Sequence, residues 1–371
     1  MIFKISVIVQ DHEDIEASGG SHAKRHCMSR AANSHDFKKL NKPSRCRECD
    51  SFVYFNGYEC AKCGLSAHKK CLETIHLMCG QKRLPRKMTT FGVPLGDHLL
   101  QVGAEIPPLV CRCVLEIDQR GINIKGLYRV SGVKSKVEKL CQAFENGADL
   151  VDLSDVHPNV ISNVVKLYMR QLPEPLCTFR LYSDFIREGR RCPALEPGQL
   201  KPGDWEKMEQ DATENLRKLC LQLPKYHLKT LGFLCHHLHR ISLQSEINNM
   251  PASNLAIGTF LYFYKLLLLN CQSETSICYV KLICYLSTLF KVFGPTLLRT
   301  SESPATLSSV VDTKEQVRVV ELMAKYAWDI FGPEANLMPR DYETRPVKHK
   351  HKREQSPRLD ELMEDHRTGT S

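Results

Sequence analysis

The sequence predicts a mainly α protein with a small metal-held module in front of it. Two patterns carry that reading. Eight potential Cys and His ligands recur at regular spacing over the 45 positions from His35 to Cys79. From about residue 91 to 332, apolar residues recur at three and four, the period of a helix with one buried face. The bulk composition fits this: 371 residues, 42% hydrophobic and 25% charged, enough chain for two or three domains. It excludes a wholly disordered, collagenous or membrane-embedded chain.

The N-terminal string MIFKISVIVQDHEDIE is a poor signal peptide, because a short apolar run meets four acids and no small-residue cleavage site. A cytoplasmic protein is expected, with its 17 Cys as reduced thiols or metal ligands. Residues 1–34 read as a disordered tail, 35–80 as the metal module and 81–90 as a basic linker. Residues 91–335 read as the helical domain and 336–371 as a disordered basic and polar tail. Charge follows this division. Residues 22–88 hold 15 Lys/Arg against 5 Asp/Glu, and residues 340–358 hold 7 against 3. A basic module of this kind suits an acidic protein face, an anionic membrane or nucleic acid.

In the helical domain, Val133, Val137, Leu140, Cys141 and Phe144 mark one helix that Gly147 closes. Val160, Ile161, Val164, Val165, Tyr168 and Leu172 mark the next, stopped by Pro173 and Pro175. Leu216, Leu219 and Leu223 run to Pro224, and Leu228, Leu231, Leu234, Cys235 and Leu238 follow. Val317, Val320, Met323, Ala327 and Ile330 make the last amphipathic helix, ended by Gly332-Pro333.

The metal module reads H-x10-C-x2-C-x10-C-x2-C-x4-H-x2-C-x7-C, through His35, Cys46, Cys49, Cys60, Cys63, His68, Cys71 and Cys79. Four soft N and S donors close a structural zinc tetrahedron, so eight imply two sites. A C-x2-C knuckle gives two thiolates from one tight turn, and the two knuckles are expected in different sites. A segment this short cannot build a core alone, so zinc would supply much of its folding free energy. No ligand is missing, which argues against an open catalytic zinc.

A second constellation lies in the helical domain. Arg129 sits between Tyr128 and Val130, with Gly126 and Gly132 on either side, just before a helix. The glycines permit a sharp loop and the helix gives it a base. Alone, Arg129 reads as a surface arginine. Asn163, Lys166 and Arg170, at i, i+3 and i+7, form a polar stripe on the following helix. Together the loop arginine and the stripe would make a cationic ledge for an anionic group, phosphate included.

Two resemblances extend these readings. The Cys/His order resembles the C1 (phorbol-ester/diacylglycerol) domain over its whole length. That resemblance implies a small β-rich fold and interleaved ligands: His35, Cys60, Cys63 and Cys79 on one zinc, Cys46, Cys49, His68 and Cys71 on the other. The spacers after His35 and after Cys49 are shorter than in lipid-binding members, and Asn56-Gly57 stands where Gln-Gly is expected. The module is therefore an atypical C1, with weak diacylglycerol binding expected. Val53, Tyr54 and Phe55 read as a strand packed on the zinc core, with apolar lipid contact as the alternative. The strings GLYRVSG (126–132), KLYMRQLPEPL (166–176), NLAI (254–257) and VFGPTLLR (292–299) resemble the all-α RhoGAP domain. With KVEKLCQAFENG (136–147) and the C1-like module, the chain resembles the subgroup joining F-BAR, atypical C1 and RhoGAP domains, typified by minor histocompatibility protein HA-1. The F-BAR helices are not in the sequence, which reads as a fragment or a shortened form.

The RhoGAP resemblance implies a GTPase activator for Rho-family small GTPases, not an enzyme acting alone. Arg129 would be its arginine finger. Lys166 and Arg170 would support the finger loop and contact the GTPase, and Asn254 would help hold the switch region. GTP and Mg²⁺ would sit on the partner, since the chain has no Walker A string. Nucleic acid is not an expected partner, because a basic recognition helix with ββα zinc-finger spacing is lacking.

One departure stands out. In the family NLAI runs almost directly into VFGPTLLR; here the 34 residues 258–291 stand between them, strongly apolar with few charges. Leu255–Leu269 is too short for a membrane span and contains Lys265. An extra buried helix is one reading; translated intron sequence is the preferred one. On that reading the segment separates Asn254 from FGPTLL, breaks a core contact and impairs activity. The rival function is then a non-catalytic adaptor that binds GTPases or lipid.

Overall fold

The computed structural model describes residues 28–84, 87, 89–193, 202–251, 293–301 and 312–333. Elements are numbered through these residues. The described residues begin at Met28, seven residues ahead of His35. Ser29 caps α1 (Arg30–Asn33): its Oγ accepts from the Ala32 amide at 3.0 Å and donates to the Ile75 carbonyl at 2.8 Å. Met28, Ala31 and Ala32 are thereby buried against the zinc module. A short apolar face, not length, orders this stretch.

The module itself is two small antiparallel sheets. β1 (Phe37–Lys39), β4 (Gly57–Cys60) and β5 (Ser66–His68) form one, in the order β1-β4-β5. β2 (Ser44–Arg45) and β3 (Phe52–Val53) form the other. The ladders place Phe37 opposite Cys60, and Gly57 opposite His68, so the pairing itself brings distant ligands together. Val53 is fully buried, but Tyr54 and Phe55 are not strand residues packed on the zinc core. They lie in the turn beyond β3, 62% and 88% exposed. At Asn56 the chain takes φ 54°, which closes that turn and points the two rings outward.

The helical domain comprises α2 (Leu95–Val102), α3 (Pro108–Arg120), α4 (Lys134–Asn146), α5 (Pro158–Gln171), α6 (Tyr182–Arg191), α7 (Pro202–Cys220) and α8 (Lys225–Leu243). Then come α9 (Ser245–Asn248), α10 (Gly294–Leu297), α11 (Thr313–Lys325) and α12 (Ala327–Phe331). α5 is central. Pro158 opens it, His157 caps it, and Val160, Ile161, Val164, Val165, Tyr168 and Met169 are buried along it. α3, α4 and α10 pack against it, and α8 packs on α3. A second layer joins α6, α7 and α11. There Glu209 of α7, buried, receives Arg318 at 2.7 Å and Lys325 at 2.6 Å from α11. Burial pushes the Glu209 carboxyl up, but these bonds outweigh it and hold the group below the usual carboxylate range.

The two parts meet across a continuous joint. Leu77 and Val151 form an antiparallel bridge, with the Met78 amide donating to the Leu150 carbonyl (2.7 Å) and the Asp152 amide to the His76 carbonyl (2.6 Å). Arg47 Nη1 donates to Asn146 Oδ1 at 2.8 Å, at the end of α4. Lys87, in the stretch read as a linker, lies 3.5 Å from Asp50 and 3.4 Å from Glu145. Arg112 of α3 donates to the Asp149 and Val151 carbonyls, which fixes the helical-domain edge of the joint. Among the described residues no helix is long and apolar enough to cross a membrane.

Candidate functional site

Arg129 is exposed, and Val130 and Val133 beside it are 44% and 55% exposed. The loop turns back on itself through the Arg129 and Val130 amides, both donating to the Gly126 carbonyl at 2.8 Å. Gly126 has φ 69°, and a Cβ there would sit 3.5 Å from Arg129 Nη2, so the guanidinium lies back over this glycine. A Cβ at Gly132 would stand 2.8 Å from Val160 Cα, so the loop can seat on the start of α5 only with glycine there.

Beneath the loop three anchors converge. Lys166 Nζ donates to the Tyr128 carbonyl. The Asn248 carbonyl accepts the Gly126 amide at 2.8 Å. The Tyr128 ring is fully buried and packs edge-on against Phe293, centroids 4.9 Å apart. Lys166 is therefore not part of a solvated ledge: it is 5% exposed, under the loop. Burial first, then the Arg170 charge, push its ammonium down to about 8. Arg170 is exposed at the last turn of α5, and Asn163 turns inward to the Asn159 carbonyl (2.8 Å). Asn254 and the segment 258–291 lie outside the described residues.

Described residues on either side of that segment are packed. Met250 is buried where the chain enters it, and Phe293, Leu297 and Leu298 are buried where it returns. The Cys177 amide donates to the Leu297 carbonyl at 3.0 Å, and Arg299 donates to the Leu172 carbonyl. From Phe293 onward this stretch docks on the end of α5 and the chain that follows it, while its expected contact with Asn254 lies outside the described residues.

The eight Cys/His ligands gather into two groups, His35 with Cys60, Cys63 and Cys79, and Cys46 with Cys49, His68 and Cys71. In each group the ligand atoms lie within 4.8 Å of one another. Cys63 Sγ is 3.3 Å from His35 Nδ1, Cys60 Sγ is 3.9 Å from Cys79 Sγ, and Cys49 Sγ is 3.4 Å from His68 Nδ1. Zinc bonds of about 2.0–2.3 Å give tetrahedral edges of roughly 3.4–3.8 Å, so the donor sets fit the ion. The second ring nitrogens are used as well. His35 Nε2 is 2.9 Å from the Leu77 carbonyl and His68 Nε2 is 3.1 Å from the Phe52 carbonyl, which leaves Nδ1 of each ring for a metal.

Family models match both parts. Residues 35–82 match the phorbol esters/diacylglycerol binding domain (C1 domain), and residues 107–260 match the RhoGAP domain. The chain carries a C1 domain followed by a RhoGAP domain. It is 44% identical over 319 residues to Rho GTPase-activating protein 29 of Danio rerio, covering 82% of this chain and 21% of that protein. It is 41% identical over 312 residues to Rho GTPase-activating protein 45 of Xenopus laevis, covering 82% and 25%. With GEM-interacting protein of Mus musculus it shares 34% identity over 328 residues, covering 86% and 30%. The chain therefore spans less than a third of the length of each of these relatives.

Three residues hydrogen-bonded behind the Arg129 loop were not singled out from the sequence: Asp118, His237 and Asn248. Their signal was faint. Asp118 opens the DQRG string at the end of α3, His237 is one of three histidines in CHHLHR, and Asn248 is the first of an Asn pair.

Proposed function

We propose that this chain accelerates GTP hydrolysis on Rho-family small GTPases, with Arg129 entering the partner's nucleotide site as an arginine finger. What supports the reading is one observation: an exposed arginine on a loop of a RhoGAP domain, held from below by a buried lysine. As the β–γ bond breaks, negative charge grows on the transferred phosphoryl group and the leaving oxygens. A guanidinium brought in from outside stabilises that charge and displaces water. GTP, Mg²⁺ and the attacking water belong to the GTPase. Lys166 keeps the loop in place, Arg170 offers charge to the partner surface, and Asn254 helps hold the switch region. The C1 domain holds two structural zinc ions.

Single-turnover hydrolysis with Rho-family GTPases tests this on the full chain and on a form lacking 258–291. Acceleration is expected from both, stronger without the segment if it is foreign to the fold. Failure of both on every family member would overturn the activator reading in favour of an adaptor. A shortened form that melts lower and activates less would show that 258–291 belongs to the domain.

The C1 domain supports a second, weaker contact, with an anionic membrane. Phe55 and Tyr54 are exposed, Tyr54 stacks on Phe52, and the Arg45 guanidinium lies 4.8 Å over the Phe52 ring, an apolar tip with a basic residue at its side. Binding to vesicles rich in anionic lipid should be weak, independent of diacylglycerol, and lost as salt shortens the Debye length from about 10 Å at 0.1 M to about 3 Å at 1 M. Tight, salt-insensitive sedimentation that requires diacylglycerol would contradict it.

A further inference from the structure

We propose that His237, fixed by Asp118, is a positioning residue for the arginine-finger loop and acts through the hydroxyl of Tyr128. The inference rests on the reading of Arg129 as the finger.

Tyr128 immediately precedes Arg129 and has φ 67°. A bulky residue in the left-handed region costs about 1–2 kcal/mol and persists only where its surroundings hold it there. Here they do so through the side chain. The Tyr128 hydroxyl is 2.8 Å from His237 Nε2, and the two rings meet edge to face at 5.6 Å. His237 is itself fully buried on α8, and its Nδ1 is 2.6 Å from Asp118 Oδ1 on α3. The other carboxylate oxygen of Asp118 takes Arg240 Nε at 3.1 Å and Nη2 at 2.5 Å.

The polarity of this relay is set from its far end. Burial pushes the Asp118 carboxyl up, but His237 and Arg240 outweigh it and hold the group below the usual carboxylate range. An anionic Asp118 only accepts, so His237 Nδ1 carries a proton toward it. In the neutral ring Nε2 is then an acceptor, and it takes the Tyr128 O–H. Burial holds the Tyr128 hydroxyl protonated, far above its ordinary range. Every group in the line has one role, and the Tyr128 ring has one resting place.

The other two anchors act on backbone atoms: Lys166 on the Tyr128 carbonyl and Asn248 on the Gly126 amide. Phe293 packs against the Tyr128 ring, and the relay alone among these contacts hydrogen-bonds its side chain. Rotation of that ring would turn the peptide that carries Arg129. Asp118 and His237 lie 119 positions apart, so the relay also ties the finger loop to the α3–α8 contact at the domain centre.

Amide hydrogen exchange on the full chain reads the loop with no GTPase present, and single-turnover hydrolysis reads the finger. In Tyr128→Phe and His237→Leu, exchange at the Arg129 and Val130 amides should quicken by about tenfold, the loss of one buried hydrogen bond of about 1–1.5 kcal/mol. Exchange along α3 and α8 should stay as in the parent. The saturating rate of hydrolysis should fall by a similar factor, with the half-saturating concentration little changed. His237→Gln, whose amide can donate to Asp118 and accept from Tyr128, should recover most of both. If exchange at 126–131 is unchanged in Tyr128→Phe and His237→Leu, the relay does not position the loop. If exchange quickens equally throughout α3 and α8, its role is general packing and the proposal falls. A parent chain that accelerates no hydrolysis would overturn the finger reading alone, since the exchange result stands apart from it.

Discussion

Arg129→Ala is expected to abolish acceleration of GTP hydrolysis while leaving the fold and most of the GTPase affinity in place. The magnitude comes from the chemistry. An arginine finger is worth about 10³–10⁵ in rate, or roughly 4–7 kcal/mol of transition-state stabilisation. That interaction is made when charge develops on the phosphoryl oxygens, so its loss appears in the saturating rate and not in binding. The loop does not need this side chain. Its shape is set by the Gly126 and Gly132 contacts, the Lys166 bond to the Tyr128 carbonyl and the buried Tyr128 ring. Among the described residues the Arg129 guanidinium makes no ion pair, and removing an exposed side chain of this kind shifts stability by about 0.5 kcal/mol or less. Arg129→Lys should recover little, because an ammonium lacks the planar fork that spans two oxygens. Single-turnover hydrolysis, a thermal melt and a titration with the GTPase are measured on the same preparations. An alanine form that activates as well as its parent would show that the rate comes from elsewhere in the domain.

How far these features could be read from the sequence depends on the range of the contacts that make them. The two Cys/His groups were legible because metal chemistry demands fixed donor types at short spacing, and the β1-β4-β5 register brings those donors together. The helix of Val160–Leu172 was legible because its apolar face keeps one period. Helical spacing put Lys166 on an open cationic ledge because it cannot say what lies above a stripe; the Arg129 loop lies there and covers the lysine, the support that the family resemblance implied. Tyr54 and Phe55 read as core because aromatic residues usually pack inward, but the turn at Asn56 directs them out. Met28 to Asn33 read as tail because three small or apolar side chains are too few to show a period. Asp118 and His237 were invisible for a different reason. A buried polar pair matters through its partner, and the partner here is 119 positions away.

Removal of zinc is expected to unfold the C1 domain and to loosen the edge of the RhoGAP domain without melting its centre. Strands of two to four residues and a few dozen side chains give the module little core of its own. In zinc-finger peptides the ion contributes about 10–16 kcal/mol at neutral pH, far beyond what such a core supplies. The loss would spread by a specific route. His35 Nε2 is hydrogen-bonded to the Leu77 carbonyl, and Leu77 pairs with Val151 of the RhoGAP domain. Cys79, a ligand of the same group, follows Met78, whose amide is bonded to the Leu150 carbonyl. Arg47, between Cys46 and Cys49, holds Asn146 at the end of α4. A chelator should therefore raise amide exchange throughout 28–80, then at 146–152, while α3, α5 and α8 stay protected because their packing includes no metal ligand. Metal analysis before treatment should give two zinc ions per chain. One or none would overturn the ligand assignment. A module that keeps its exchange protection after its zinc is stripped would show that the ladders and the RhoGAP joint alone suffice to fold it.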